Sequence, residues 1–106
     1  MKIEVIEIYP RDSTDKYIER GSVHIFLEDW NIDIKNIPYY ISEDKRKNSL
    51  VYHAHVSYPF YYYHQNSENG AVKTTRVPTI SFRDEQVWHQ IKKVIREELL
   101  RRFNKK

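Results

Sequence analysis

The chain has 106 residues, of which 40% are apolar and 14% aromatic, a formal net charge of +3, two glycines and no cysteine. This composition fits one folded domain spanning 1–106 rather than a disordered chain. It excludes disulfides, thiolate metal sites and a glycine-rich phosphate loop.

The first apolar stretch, Ile3 to Ile8, contains Glu4 and Glu7. It is therefore not read as a signal peptide, no later stretch is long enough to cross a bilayer, and a cytoplasmic protein without a membrane partner is expected. Ile3 and Val5, then Ile6 and Ile8, alternate as a strand with a phase slip between Val5 and Ile6. Val23, Ile25 and Leu27 share one face of a second strand, with His24 and Phe26 on the other. Glu28 to Asn31 reads as a turn. Ile32 and Ile34 continue one face, and the phase then shifts to Ile37, Tyr39 and Ile41, which predicts a bulge near Lys35-Asn36. Pro38 lacks a donor, so this stretch is expected at an edge or at the bulge itself.

Ser42 to Asn48 reads as a charged loop. Leu50, Tyr52, Ala54 and Val56 alternate with Val51, His53, His55 and Ser57 as a further strand. Asn66 to Gly70 reads as a loop tip, with Asn69 and Gly70 supplying positive φ, and Val72 to Phe82 returns extended. Val87, Trp88, Ile91, Val94, Ile95, Leu99 and Phe103 recur at helical spacing. Ser81 or Asp84 can cap this helix, and Arg101, Arg102, Lys105 and Lys106 suit its C-terminal end. The fold class is therefore α+β: an antiparallel β-sheet of about five strands followed by one amphipathic C-terminal helix.

Two features point towards function. From Arg83 onward there are eight Lys or Arg against four Asp or Glu, so the basic excess lies in the helical segment. Lys92, Lys93, Arg96 and Arg101 lie off its apolar stripe, with Arg102 beside them, and Glu97 is four residues from Arg101. Such a helix holds phosphates or simply keeps the protein soluble. The second feature is Tyr58-Pro59-Phe60-Tyr61-Tyr62-Tyr63-His64. In an extended segment Phe60 and Tyr62 face one way and Tyr61 and Tyr63 the other. Phe60 has no hydroxyl to satisfy, so its face is expected inward and Tyr61 and Tyr63 outward as an exposed platform.

His53 and His55 share one strand face at i, i+2 spacing. A metal pair is conceivable with His64 or an acid, but two surface histidines are the preferred reading, and neither a metal nor another cofactor is expected. No catalytic constellation is visible, so an enzyme is not expected.

The order and spacing resemble the SpoVG family (stage V sporulation protein G, septation regulators). Val56-Ser57-Tyr58-Pro59 matches the Val-x-x-Pro part of that family's Val-Ala-Met-Pro-Ser-Lys-Arg segment. Ser67 to Gly70 stands at its Asp-Gly loop, Val77-Pro78 at its His-Pro step, and Asn31 to Lys35 resembles its Ile-x-Asp-Ile-Arg strand. The resemblance implies a homodimer that binds DNA or RNA as a regulator. One departure is that the family's Ser-Lys-Arg, whose basic pair is implicated in nucleic-acid contact, is replaced by Phe60-Tyr61-Tyr62. That change moves a kept site from phosphate pairing to base stacking by Tyr61, Tyr62 and Tyr63, or signals that binding is lost. The alternative is a protein-interaction or assembly module, with the Tyr run as its interface and the helix bases merely solvated.

Overall fold

The computed structural model describes residues 1–11, 18–44 and 51–104. Four strands form an antiparallel meander: β1 (Ile3–Pro10), β2 (Glu19–Leu27), β3 (Ile32–Asp44) and β4 (Val51–Val56), in the order β1-β2-β3-β4. Two more, β5 (Phe60–Asn66) and β6 (Val72–Pro78), form a separate two-stranded hairpin, and the helix α1 (Glu85–Asn104) ends the fold. The architecture is α+β, with six strands in two sheets where about five were expected.

The sheet works because its alternation points one face at the helix. Val23, Ile25 and Leu27 of β2, Ile37, Tyr39 and Ile41 of β3, and Ala54 of β4 are buried together with Trp88, Ile91, Ile95 and Leu99 of α1. Each fully buried aliphatic side chain contributes about 1.5–3 kcal/mol, so this layer carries the stability. Asp84 caps the helix, its Oδ1 accepting from the Gln86 amide at 3.0 Å.

Both phase slips are β-bulges. The β1–β2 register shifts between Val5 and Glu7, which leaves Ile6 exposed. The β2–β3 register shifts opposite Asn36, whose φ of 60° is left-handed. Such a bulge restores the apolar phase after Ile34, so that Ile37 again faces the core.

Two expectations need correction and a third is narrowed. β3 is an inner strand, so of the two places expected for Pro38 the bulge is the right one: it lies just after the bulge and one residue beyond the last β3–β4 pair, Tyr39 with Val56. There its missing donor costs no β4 ladder bond, and its carbonyl accepts the Ser57 amide at 3.1 Å. Ser42, Glu43 and Asp44 belong to β3 rather than to a loop, because they pair with His53, Tyr52 and Val51. At the hairpin tip only Gly70 has positive φ, at 76°, and Asn69 does not. The rest of the charged stretch, Leu50, Lys105 and Lys106 lie outside the described residues.

Gly21 is required where it stands. A Cβ there would sit 2.2 Å from the Tyr9 carbonyl oxygen and 3.0 Å from the Tyr39 ring. The glycine lets β1 close on β2 and lets Tyr39 lie across the strand.

Candidate nucleic-acid interface

The hairpin is rooted firmly and projects from that root. Tyr58 stacks on Trp88 with centroids 4.0 Å apart, Pro59 is buried, and the Thr79 amide donates to the Pro59 carbonyl at 2.8 Å. Beyond this point β5 and β6 pair with each other, and neither joins the larger sheet. The radius of gyration is 16.3 Å, against about 13 Å for a compact chain of this size. Along the arm Tyr61, Tyr62 and Tyr63 are 51%, 55% and 52% exposed.

The expected alternation is present, with Phe60 and Tyr62 on one face in edge-to-face contact, centroids 5.3 Å apart. The expectation that this face packs inward holds only for Phe60, which is half-buried. Tyr62 is as exposed as its neighbours, because what lies beneath the hairpin is a cleft rather than a core. The hairpin therefore has an outer face carrying Tyr61 and Tyr63, and an inner face carrying Phe60 and Tyr62.

The cleft has a volume of about 630 Å³ and lies between the inner face of the hairpin and the face of the four-stranded sheet opposite α1. Three arginines converge on it from three parts of the chain: Arg11 after β1, Arg20 of β2 and Arg76 of β6. Tyr40, Phe60 and Tyr62 supply its aromatic wall. Arg76 lies over the Phe60 ring, 4.1 Å from its centroid. This cation–π contact orders the guanidinium without neutralising it. Among the described residues no Asp or Glu lines the cleft and none pairs with Arg11, Arg20 or Arg76. Uncompensated charge in a concave site attracts anions.

None of these three arginines is among the expected binding residues. Arg20 was legible, since strand alternation puts it opposite Val23, Ile25 and Leu27, on the face away from the helix. Arg76 follows once the Ser67–Gly70 turn fixes the hairpin register, because it is the cross-strand partner of Tyr62. Arg11 depends on the β1–β2 fold-back, whose connecting residues have no periodic pattern.

The helix bases, by contrast, are divided. Lys93 and Arg96 face β4, lining a notch of about 260 Å³ with Tyr52, His53, Ala54 and the acid Glu97, and Lys92 is half-buried outside that notch. Arg101 lies on another flank and pairs with Glu98, not with Glu97. Arg102 turns to the sheet and donates to Glu19 Oε2 at 3.0 Å, while the Tyr39 hydroxyl donates to the same oxygen at 3.0 Å. Burial, then the Glu19 hydrogen bond, pushes the Tyr39 phenol far up, and Glu19 raises Arg102 as well. The charge of Arg102 is thus committed to a nearly buried carboxylate, and its role is to pin the end of α1 to β2 and β3.

His53 and His55 lie on the β4 face opposite Ala54. His55 stacks on Tyr40 at 4.4 Å and meets Ser42 Oγ at 3.1 Å through Nε2. Burial, with smaller contributions from His53 and Arg96, holds its pKa below the usual histidine value. Among the described residues no group of three His, Cys, Asp or Glu side chains is placed to hold a metal ion, and no helix is long and apolar enough to cross a membrane. The chain matches no protein-family model, no curated protein and no solved structure.

Proposed function

We propose that this protein is a nucleic-acid-binding regulator of the SpoVG type that holds single-stranded DNA or RNA, as a homodimer and without catalysis. The observation that carries the reading is the projecting hairpin: three consecutive tyrosines exposed at its root, with unneutralised arginines beneath. Aromatic platforms flanked by cations bind single strands, at about 1–3 kcal/mol per stacked base. Lys93 and Arg96 add a second basic surface, which would hold phosphates without reading sequence. A two-stranded ribbon alone is marginally stable, so a second copy covering part of the arm accounts for its apolar exposure, Val72 included.

That same exposure on both faces favours a second reading, in which the hairpin docks on a protein and binds no nucleic acid. Anisotropy titrations with single-stranded DNA, duplex DNA and RNA at two salt concentrations separate the two. On the first reading, Tyr61→Ala/Tyr63→Ala keeps the circular dichroism spectrum and loses about 1–3 kcal/mol per stack, mainly for single strands. Lys93→Glu/Arg96→Glu weakens all three targets alike and flattens the salt slope. On the second, neither variant changes nucleic-acid affinity, and the tyrosine variant loses its self-association or its partner. A monomeric mass at tens of micromolar in light scattering would remove the homodimer from the proposal.

A further inference from the structure

We infer that the cleft beneath the hairpin is a site for a single nucleoside phosphate, separate from the outer tyrosine face. The inference rests on the nucleic-acid reading, which it deepens by assigning one class of ligand to one pocket.

Three observations carry it. The first is size: about 630 Å³ is within the range of pockets that hold one small ligand. The second is charge. Arg11, Arg20 and Arg76 bring three planar, permanently charged forks to a space that no carboxylate among the described residues lines. Arginine forks match phosphate oxygens in bidentate fashion, so the expected anion is a phosphate group. The third is the aromatic wall. Phe60 and Tyr62 stand edge to face on the hairpin, and Tyr40 lies on the sheet side. Arg76 covers one face of Phe60 and His55 one face of Tyr40, so a planar ring has the exposed Tyr62 to pack on, and the hydroxyls of Ser22 and Ser57 and the Asn36 amide can hydrogen-bond its edge. A bare phosphate would use the arginines and leave this wall idle. A nucleobase with a phosphate uses both.

The two walls also belong to different units. Arg11, Arg20 and Tyr40 are fixed on the sheet, while Phe60, Tyr62 and Arg76 are on the arm. A ligand bridging them ties the arm to the sheet and so orients the outer Tyr61 and Tyr63. The chemistry is shared by a free mononucleotide and by the 5′-phosphorylated end of a strand.

The test uses the full chain and calorimetric titration with AMP, adenosine and inorganic phosphate. AMP should bind, and adenosine and phosphate each more weakly. Arg11→Gln/Arg20→Gln should raise the AMP dissociation constant by about tenfold or more, as expected for losing charge-assisted hydrogen bonds. Tyr62→Ala should weaken AMP and leave phosphate unchanged. Competition between AMP and a 10-mer carrying either a 5′-phosphate or a 5′-hydroxyl then identifies the source. Preference for the phosphorylated end places strand ends in the cleft, no competition by either oligonucleotide places the free nucleotide there, and equal competition by both overturns the single-nucleotide site. The inference is overturned if AMP binds no better than phosphate, or if the arginine pair leaves AMP affinity unchanged in a folded variant. Failure of the strand-binding reading is distinct. It shows as Tyr61→Ala/Tyr63→Ala retaining full affinity for oligonucleotides, whatever AMP does.

Discussion

In β2 and β3 alternate side chains are buried under α1, whereas along β5 and β6 only Phe60 and Val77 are even half-buried. Both regions are built from strand-forming residues. The sheet region spends them as Ile, Val and Leu, which have no polar atom and gain only by burial. The hairpin spends them as Tyr and Thr, which keep a hydroxyl in water. Its register is held by the Ser67–Gly70 turn and by cross-strand pairs such as His64 with Thr74, joined at 3.0 Å. Such pairs contribute about 0.2–1 kcal/mol each. A strand pattern therefore does not say whether a strand helps to make the core or is carried by it. What tells them apart is the run Tyr61 to Tyr63 beside Thr74 and Thr75, hydroxyl-bearing residues where the inner strands carry Ile, Val and Leu.

The comparison breaks most visibly in the core. Ile95 is fully buried between the helix and the sheet. Ile95→Ala should destabilise the protein by about 2–5 kcal/mol, the usual cost of an aliphatic truncation that leaves a cavity. Val72→Ala on the hairpin, where Val72 is 60% exposed, should stay within about 0.5 kcal/mol of wild type. Urea denaturation of both variants measures the contrast. Equal losses would mean that the hairpin shares the core after all.

A middle-sized effect separates two neighbouring arginines. Arg102→Met takes the guanidinium away from the nearly buried Glu19 carboxylate, and should cost roughly 1–3 kcal/mol. Arg101→Met removes an exposed pair with Glu98 and should cost roughly 0–1 kcal/mol. Adding Glu19→Gln to Arg102→Met should restore part of the loss, and a double-mutant cycle reads that coupling directly. Additive losses would show that Arg102 acts through its stem alone.

The two arginines also mark where sequence reading stops. Periodicity located α1, both bulges and the apolar face of each inner strand, because burial imposes a period and the period survives in the sequence. It also separated Tyr61 and Tyr63 from Phe60 and Tyr62. It set Arg101 off the apolar stripe and put Arg102 in line with Ile95 and Leu99, but it could not name the partner of Arg102, which is an acid 83 residues away. The cleft was hidden for the same reason. Its arginines come from three segments whose convergence depends on how the hairpin sits over the sheet, and no local pattern encodes that placement.

The smallest effect tests the border between the regions, where His55 lies against Tyr40. Its pKa is lowered, first by burial and then by His53 and Arg96, so the folded protein holds it neutral at pH values where the unfolded chain already takes up a proton. Below the ordinary histidine value of 6.5 the unfolded state therefore binds more protons than the folded one. Stability from this group is complete above that value, is lost as pH falls through it, and levels off below the folded pKa. The informative quantity is a difference between wild type and a variant that lacks this one imidazole. His55→Gln cannot titrate and keeps a polar group near Ser42. Thermal melts of wild type and His55→Gln from about pH 8 to about pH 5 should show wild type losing ground to the variant on the acid side. A difference that stays constant across the range would mean that His55 protonates as readily in the fold as in the unfolded chain. Its stack on Tyr40 would then place no constraint on its charge, and the sheet face beneath the hairpin would be as open to water as the hairpin itself.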